Sequence, residues 1–144
     1  MSDKYFVDTN ILVYAYDTSA GVKHDRARNL LERLWASGSG VLSTQVLQEF
    51  CNYLRRKAVS PLPVSEVRHI ISELSTWEVV TNTPGSILRA LDIETRYKTS
   101  FWDALIIQAA KDAGASILYS EDLAAGQKYG AVKVVNPLLD PKIQ

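Results

Sequence analysis

The chain has 144 residues, 47% of them hydrophobic and 22% charged, with 16 basic residues balancing 16 acidic ones. That is the size and composition of one globular unit, residues 1–144, with a core that needs no staples. A lone cysteine, Cys51, excludes an internal disulfide, and no apolar run approaches the roughly 20 residues of a membrane span. The expected setting is therefore a reducing cytoplasm: no membrane contact is foreseen, and Asp3, Lys4 and Asp8 interrupt any signal-like opening. A zero net charge is unlike that of proteins that grip nucleic acid by charge alone, unless bound cations supply what the side chains do not.

In chain order, Tyr5-Phe6-Val7 reads as a buried strand ending at Asp8. A helical stripe of Ala27, Leu30, Leu31, Leu34 and Trp35 follows and stops before Gly38. Val41-Leu42 is a second strand, followed by a helix carrying Val46, Leu47, Phe50, Cys51 and Leu54. After Pro63, Val64, Val67, Ile70, Ile71 and Leu74 recur at helical period. Residues 78–81 read as a third strand, and Ile87, Leu88 and Leu91 as a helix opened by Pro84-Gly85. A helix from Phe101 to Ala113 leads through Gly114 into a fourth strand at 116–119, and a fifth spans 132–135. Strands alternating with helices imply an α/β fold, a three-layer α/β/α sandwich on a parallel sheet of about five strands.

In such a fold, strand C-termini and helix N-termini gather at one edge, where ligands bind. Four acids from distant segments fall there. Asp8 ends the first strand and Asp122 follows the fourth. Asp103 lies in the first turn of the last helix, and Glu49 in the second turn of the helix after the second strand. Each also has an ordinary structural role open to it. Asp8 suits a helix N-cap, and Ser100 with Asp103 a capping box. Asp122 would complement a helix dipole, and Glu49 would sit on a solvated face. As a set they demand more. Two unit charges about 4 Å apart repel by roughly 4 kcal/mol at an effective dielectric of 20, so such a cluster calls for a cation. An all-oxygen donor set selects a hard ion, Mg²⁺ or Mn²⁺. His24, His69 and Cys51 form no zinc-like spacing.

At these residues the chain resembles the PIN-domain family, and within it the VapC-type toxins of toxin–antitoxin modules. The segments 6–12 (FVDTNIL), 43–50 (STQVLQEF), 102–106 (WDALI) and 118–123 (LYSEDL) are similar, in order, to the family's four acidic motifs. The resemblance implies a Mg²⁺- or Mn²⁺-dependent endonuclease acting on RNA, a homodimer, and inhibition by a small antitoxin protein. It assigns metal binding and catalysis to Asp8, Glu49, Asp103 and Asp122. Supporting roles fall to Thr9, Asn10 and Ser120, with Glu121 a neighbour of the ligand rather than the ligand itself. A catalytically silent module that binds RNA or protein is the alternative, and a DNA-cleaving relative a third. A haloacid dehalogenase would need an acid where Asn10 stands, and a receiver domain an aspartate where Thr81 stands.

Expectations for substrate contacts are weaker in chemistry. Lys23, His24, Arg26 and Arg28 begin a helix at the acidic edge, where they would meet phosphates or line a solvated face. Arg55, Arg56 and Lys57 end a helix, so they are expected away from the acids, complementing its dipole. Tyr14, Tyr16, Trp35 and Trp77 are expected in the core or at partner contacts.

Overall fold

The structure, a computed structural model, describes residues 3–139. Its strands are β1 (Tyr5–Val7), β2 (Gly40–Ser43), β3 (Glu78–Val80), β4 (Ile117–Tyr119), β5 (Lys128–Tyr129) and β6 (Val132–Val135). They form one sheet in the order β3-β2-β1-β4-β6-β5. All pairings are parallel except β5 against β6. The five expected strands are thus present, and a short antiparallel edge strand adds to them. β5 holds too few residues to show a period in the sequence.

The helices are α1 (Thr9–Tyr16), α2 (Val22–Ser37), α3 (Thr44–Asn52), α4 (Val64–Leu74), α5 (Pro84–Tyr97) and α6 (Phe101–Asp112). Strand order and handedness place them. The chain moves outward from β1 to β2 to β3 through α1–α4, then returns past β2 and β1 to β4 through α5 and α6. Right-handed crossovers running in opposite directions put the two helix sets on opposite faces of the sheet. The direction reverses between β1 and β4, which pair through Tyr5–Ile117, Phe6–Leu118 and Val7–Tyr119. That crevice is the topological switch point, where ligands bind in open α/β sheets.

Buried side chains fill both sides of the sheet. Phe6, Val7, Val41, Leu42, Leu118 and Val134 come from strands; Ile11, Leu12, Leu31, Phe50, Leu74 and Ile107 come from helices. One close approach decides a residue type: a Cβ on Gly40 would overlap the Trp77 ring, so β2 can open only with glycine. Trp77 meets Trp35 edge-on, with ring centroids 5.4 Å apart.

Two elements differ from the sequence expectation. α1 packs Ile11, Leu12 and Ala15 inward, yet its apolar residues are too continuous to show a helical stripe. In α5 the stripe of Ile87, Leu88 and Leu91 is exposed, and the buried residues are Ser86, Ala90 and Ile93. α5 packs chiefly on α6, and the close approach of two helices favours small side chains over leucines at the contact. No helix among the described residues is long and apolar enough to cross a membrane.

Candidate active site

Asp8, Glu49, Asp103 and Asp122 line one cleft of about 360 Å³ at the switch-point edge. Each arrives by a separate local rule. Asp8 leaves β1 as the N-cap of α1, its backbone N–H donating to the Tyr119 carbonyl at 2.9 Å and its Oδ1 accepting from Thr9 N at 2.7 Å. Glu49 lies on α3, whose N-cap Ser43 accepts from Val46 N at 3.2 Å. Asp103 is in the first turn of α6; its N–H donates to the N-cap Ser100 Oγ at 3.1 Å. The carboxylate of Asp103 does not reach back to close a capping box, and it makes no hydrogen bond or ion pair among the described residues. Asp122 follows β4 in a loop anchored by Ser120 Oγ, which accepts from Leu123 N at 3.3 Å.

The acids are held by neutral donors. Ser120 Oγ donates to Asp8 Oδ2 at 2.7 Å from a fully buried position. Asn10 Nδ2 is shared between Asp8 Oδ2 at 3.3 Å and Asp122 Oδ2 at 3.0 Å, while Asn10 Oδ1 accepts from Glu121 N at 3.2 Å. Thr9 Oγ1 donates to Glu49 Oε1 at 2.7 Å. One amide and two hydroxyls thus tie the first, second and fourth acidic segments together, and among the described residues no lysine or arginine is ion-paired to any of the four.

Asp8 is 7% exposed. Burial raises its pKa to about 6, against the hydrogen bonds from Ser120 and Thr9, and the nearby charges of Glu49 and Asp122 push the same way. Glu121 takes the opposite course. Its side chain turns to Tyr14 Oη and Lys23 Nζ, each at 2.7 Å, and does not line the cleft. Partial burial pushes its pKa up, but the hydrogen bonds from Lys23 and Tyr14 outweigh this and leave it below the usual carboxylate range.

The expected phosphate contacts fall out differently. Lys23 is paired with Glu121, and His24 Nδ1 lies 2.9 Å from the Tyr14 carbonyl. Arg26 donates to the Leu138 carbonyl at 2.6 Å, and Arg28 lies 3.5 Å from Glu32 and over the Tyr16 ring. These cations are engaged inside the protein. Lys57, expected far from the acids, lines the acidic cleft instead. It stands on a π-helical turn, Tyr53–Lys57, that continues α3 and closes with Ala58 N donating to the Tyr53 carbonyl at 2.9 Å.

Gln45 and Trp102 also line the cleft, and the sequence did not single them out. Gln45 stands four residues before Glu49, hence on the same helix face, which was the available signal. Its Nε2 donates to the Trp102 carbonyl at 3.3 Å. Its Oε1 is the one buried side-chain N or O among the described residues without a hydrogen-bond partner. A larger hollow, about 630 Å³, lies along α2 near Arg26, Arg33 and Pro137, but no acids converge there.

A hard divalent cation fits this donor set: unpaired carboxylates, neutral hydrogen-bond donors behind them, and an orphan buried carbonyl beside them. The fit is not that of a closed cage. Among the described residues, no three acidic, histidine or cysteine side chains stand in an arrangement that would hold an ion directly. An ion that keeps several waters, as Mg²⁺ does, suits an open site of this kind.

The parallel sheet, the switch-point cleft and the acids define a class, and the profile of the PIN domain matches residues 5–129: the chain belongs to the PIN-domain family. Its solved structural neighbours include VapC20 of Mycobacterium tuberculosis, a Sarcin-Ricin loop cleaving toxin, at 22% identity and TM-score 0.62, covering 83% of this chain and 90% of that one. A toxin–antitoxin complex from Klebsiella pneumoniae matches at 19% identity and TM-score 0.69, covering 93% and 98%. DNA-bound VapBC from Salmonella typhimurium matches at 15% and TM-score 0.64, covering 92% and 97%. No curated protein matches the sequence significantly.

Proposed function

We propose that this chain is a divalent-metal-dependent endoribonuclease, the toxin of a toxin–antitoxin pair. The observation that carries this reading is the sharing of one cleft by Asp8, Glu49, Asp103 and Asp122 with no lysine or arginine among the described residues paired to any of them. Membership of the PIN-domain family and likeness to VapC toxin structures support it.

In this reading Asp8, Asp103, Asp122 and Glu49 are the residues that would hold Mg²⁺ or Mn²⁺. When bound, such an ion supplies an acidified water for phosphodiester hydrolysis and neutralises charge on the phosphate. Ser120 and Asn10 fix the Asp8 oxygens, so the carboxylate does not swing away when its charge is engaged. Asn10 also sets the distance between Asp8 and Asp122. Thr9 holds Glu49 toward the cleft. Asp103, whose carboxylate makes no hydrogen bond or ion pair among the described residues, is open to orient a water. Glu121 spends its charge on Lys23 and Tyr14, outside the cleft.

The partner in this reading is an antitoxin protein, since the structures from Klebsiella and Salmonella are toxin–antitoxin assemblies. A homodimer and a cytoplasmic location go with it; sedimentation of the purified chain tests the first. The test of activity is cleavage of a mixed RNA pool by the chain freed of any antitoxin, with Mg²⁺, with Mn²⁺ and with excess chelator. Cleavage that persists in chelator sinks the metal-dependent mechanism. One observation favours the silent-module reading instead, namely that no ready-made ion-holding trio stands among the described residues. Calorimetric titration with Mn²⁺ separates the two, because a silent module of that kind takes up no ion.

A further inference from the structure

We propose that Trp102 and Lys57 form the two contacts that hold a single RNA strand across the acidic cleft, the indole stacking on a base and the ammonium meeting a phosphate. This rests on the ribonuclease reading and adds how the substrate is gripped.

An acidic cleft in a chain of zero net charge has a binding problem. Phosphates are repelled by the carboxylates, and a bound ion offsets only the charge beside it. Lys57 is the one lysine or arginine among the described residues lining the cleft, and it makes no hydrogen bond or ion pair. It stands on the π-helical turn that continues α3, four residues after Tyr53, which also lines the cleft. Such turns are uncommon and recur at functional sites. Lys57 lies roughly 10–12 Å along the helix from Glu49, far enough to meet a phosphate other than the one being cut.

Trp102 makes the second wall. It is 63% exposed beside Asp103, where a fold that only needed a helix start would have placed a polar side chain. It is not loose. Its carbonyl is tied by Gln45, and its ring stands edge-on to Phe101 at 5.3 Å and 73°, which leaves an indole face open. A flat exposed π-face and a free ammonium match the two features shared by every nucleotide, a base face and a phosphate. Stacking tolerates any base, so this grip by itself confers little sequence preference.

The test measures binding of short oligouridylate and oligoadenylate to the Asp8→Asn protein, so that strands stay intact, with Trp102→Ala, Trp102→Phe and Lys57→Met added singly. Both positions are exposed, so folding is not at stake. Trp102→Ala is expected to weaken binding roughly 5- to 150-fold, the worth of one stacked base, and Trp102→Phe to restore most of it. Lys57→Met should lower the slope of log affinity against log salt by about 0.7, one phosphate on a single strand. Parental affinity in both Trp102→Ala and Lys57→Met, while the otherwise unchanged chain still cuts RNA, overturns this inference and leaves the ribonuclease reading standing. Failure of the parent to bind or cut RNA overturns both. A salt slope unchanged by Lys57→Met removes the phosphate contact, and equal loss with Phe and Ala at 102 removes stacking.

Discussion

Glu121 and Asp122 are consecutive acids at the end of β4, and the protein treats them in opposite ways. Glu121 is given a lysine and a tyrosine, which neutralise it and pull its pKa down. Asp122 is given an amide that it shares with Asp8, which orients the two carboxylates without neutralising either. The same division separates the α2 side of the acidic edge, where Lys23, His24, Arg26 and Arg28 all have internal partners, from the cleft, where no acid is ion-paired among the described residues. On the proposed reading, paired charge belongs to the scaffold, and the unpaired, oriented acids are those that would meet charge from outside.

The hardest blow to this contrast is Asp8→Asn. On the ribonuclease reading it should cut cleavage by roughly 10²–10³-fold, the scale of losing one charge-stabilising group in a preorganised site. Cleavage at the parental rate would remove Asp8 from the mechanism.

The same substitution should stabilise the metal-free fold. A carboxyl whose pKa rises from 3.8 to about 6 on folding is destabilising when ionised, by up to about 3 kcal/mol. The native state holds the proton more tightly, so wild-type stability falls as pH rises from about 4 to about 6. The gain from Asp8→Asn should therefore be nearly absent at about pH 3 and complete above about pH 7, in chelator, by urea unfolding. Loss of the charge-specific hydrogen bonds at Asp8 reduces it. A gain that is the same at both pH values would contradict the burial argument.

Ser120→Ala and Asn10→Ala leave all four acids in place but free their oxygens. Each should weaken Mn²⁺ binding about 10–100-fold by calorimetry, the usual worth of a group that orients a ligand. The smallest effect belongs to Glu121→Gln. It removes an ion pair outside the cleft, so cleavage should stay near the parental rate in the RNA assay. A collapse comparable to that of Asp8→Asn would move Glu121 from scaffold to site and erase the contrast.

Much of this was legible beforehand. Short β-rich runs between helical stripes announced the sheet, because period and turn residues are local properties. The four acids followed from one general rule about where strands end and helices begin. The α5 stripe misled because periodicity reports that a helix has an apolar face, not which neighbour covers it: α6 took the side with Ser86 and Ala90 and left Leu88 in solvent.

What the amino-acid order determined on its own was the alternation of elements and the edge at which the acids would gather, since both depend on contacts a few residues apart. The tertiary structure alone decided which carboxylate is buried, which is neutralised and which basic residues are free. The decisive contacts join atoms more than 90 positions apart along the chain for Lys23 with Glu121 and for Ser120 with Asp8. Lys57 shows the limit most clearly. It ends α3 on a π-helical turn and lines the acidic cleft, which its place at a helix C-terminus did not announce.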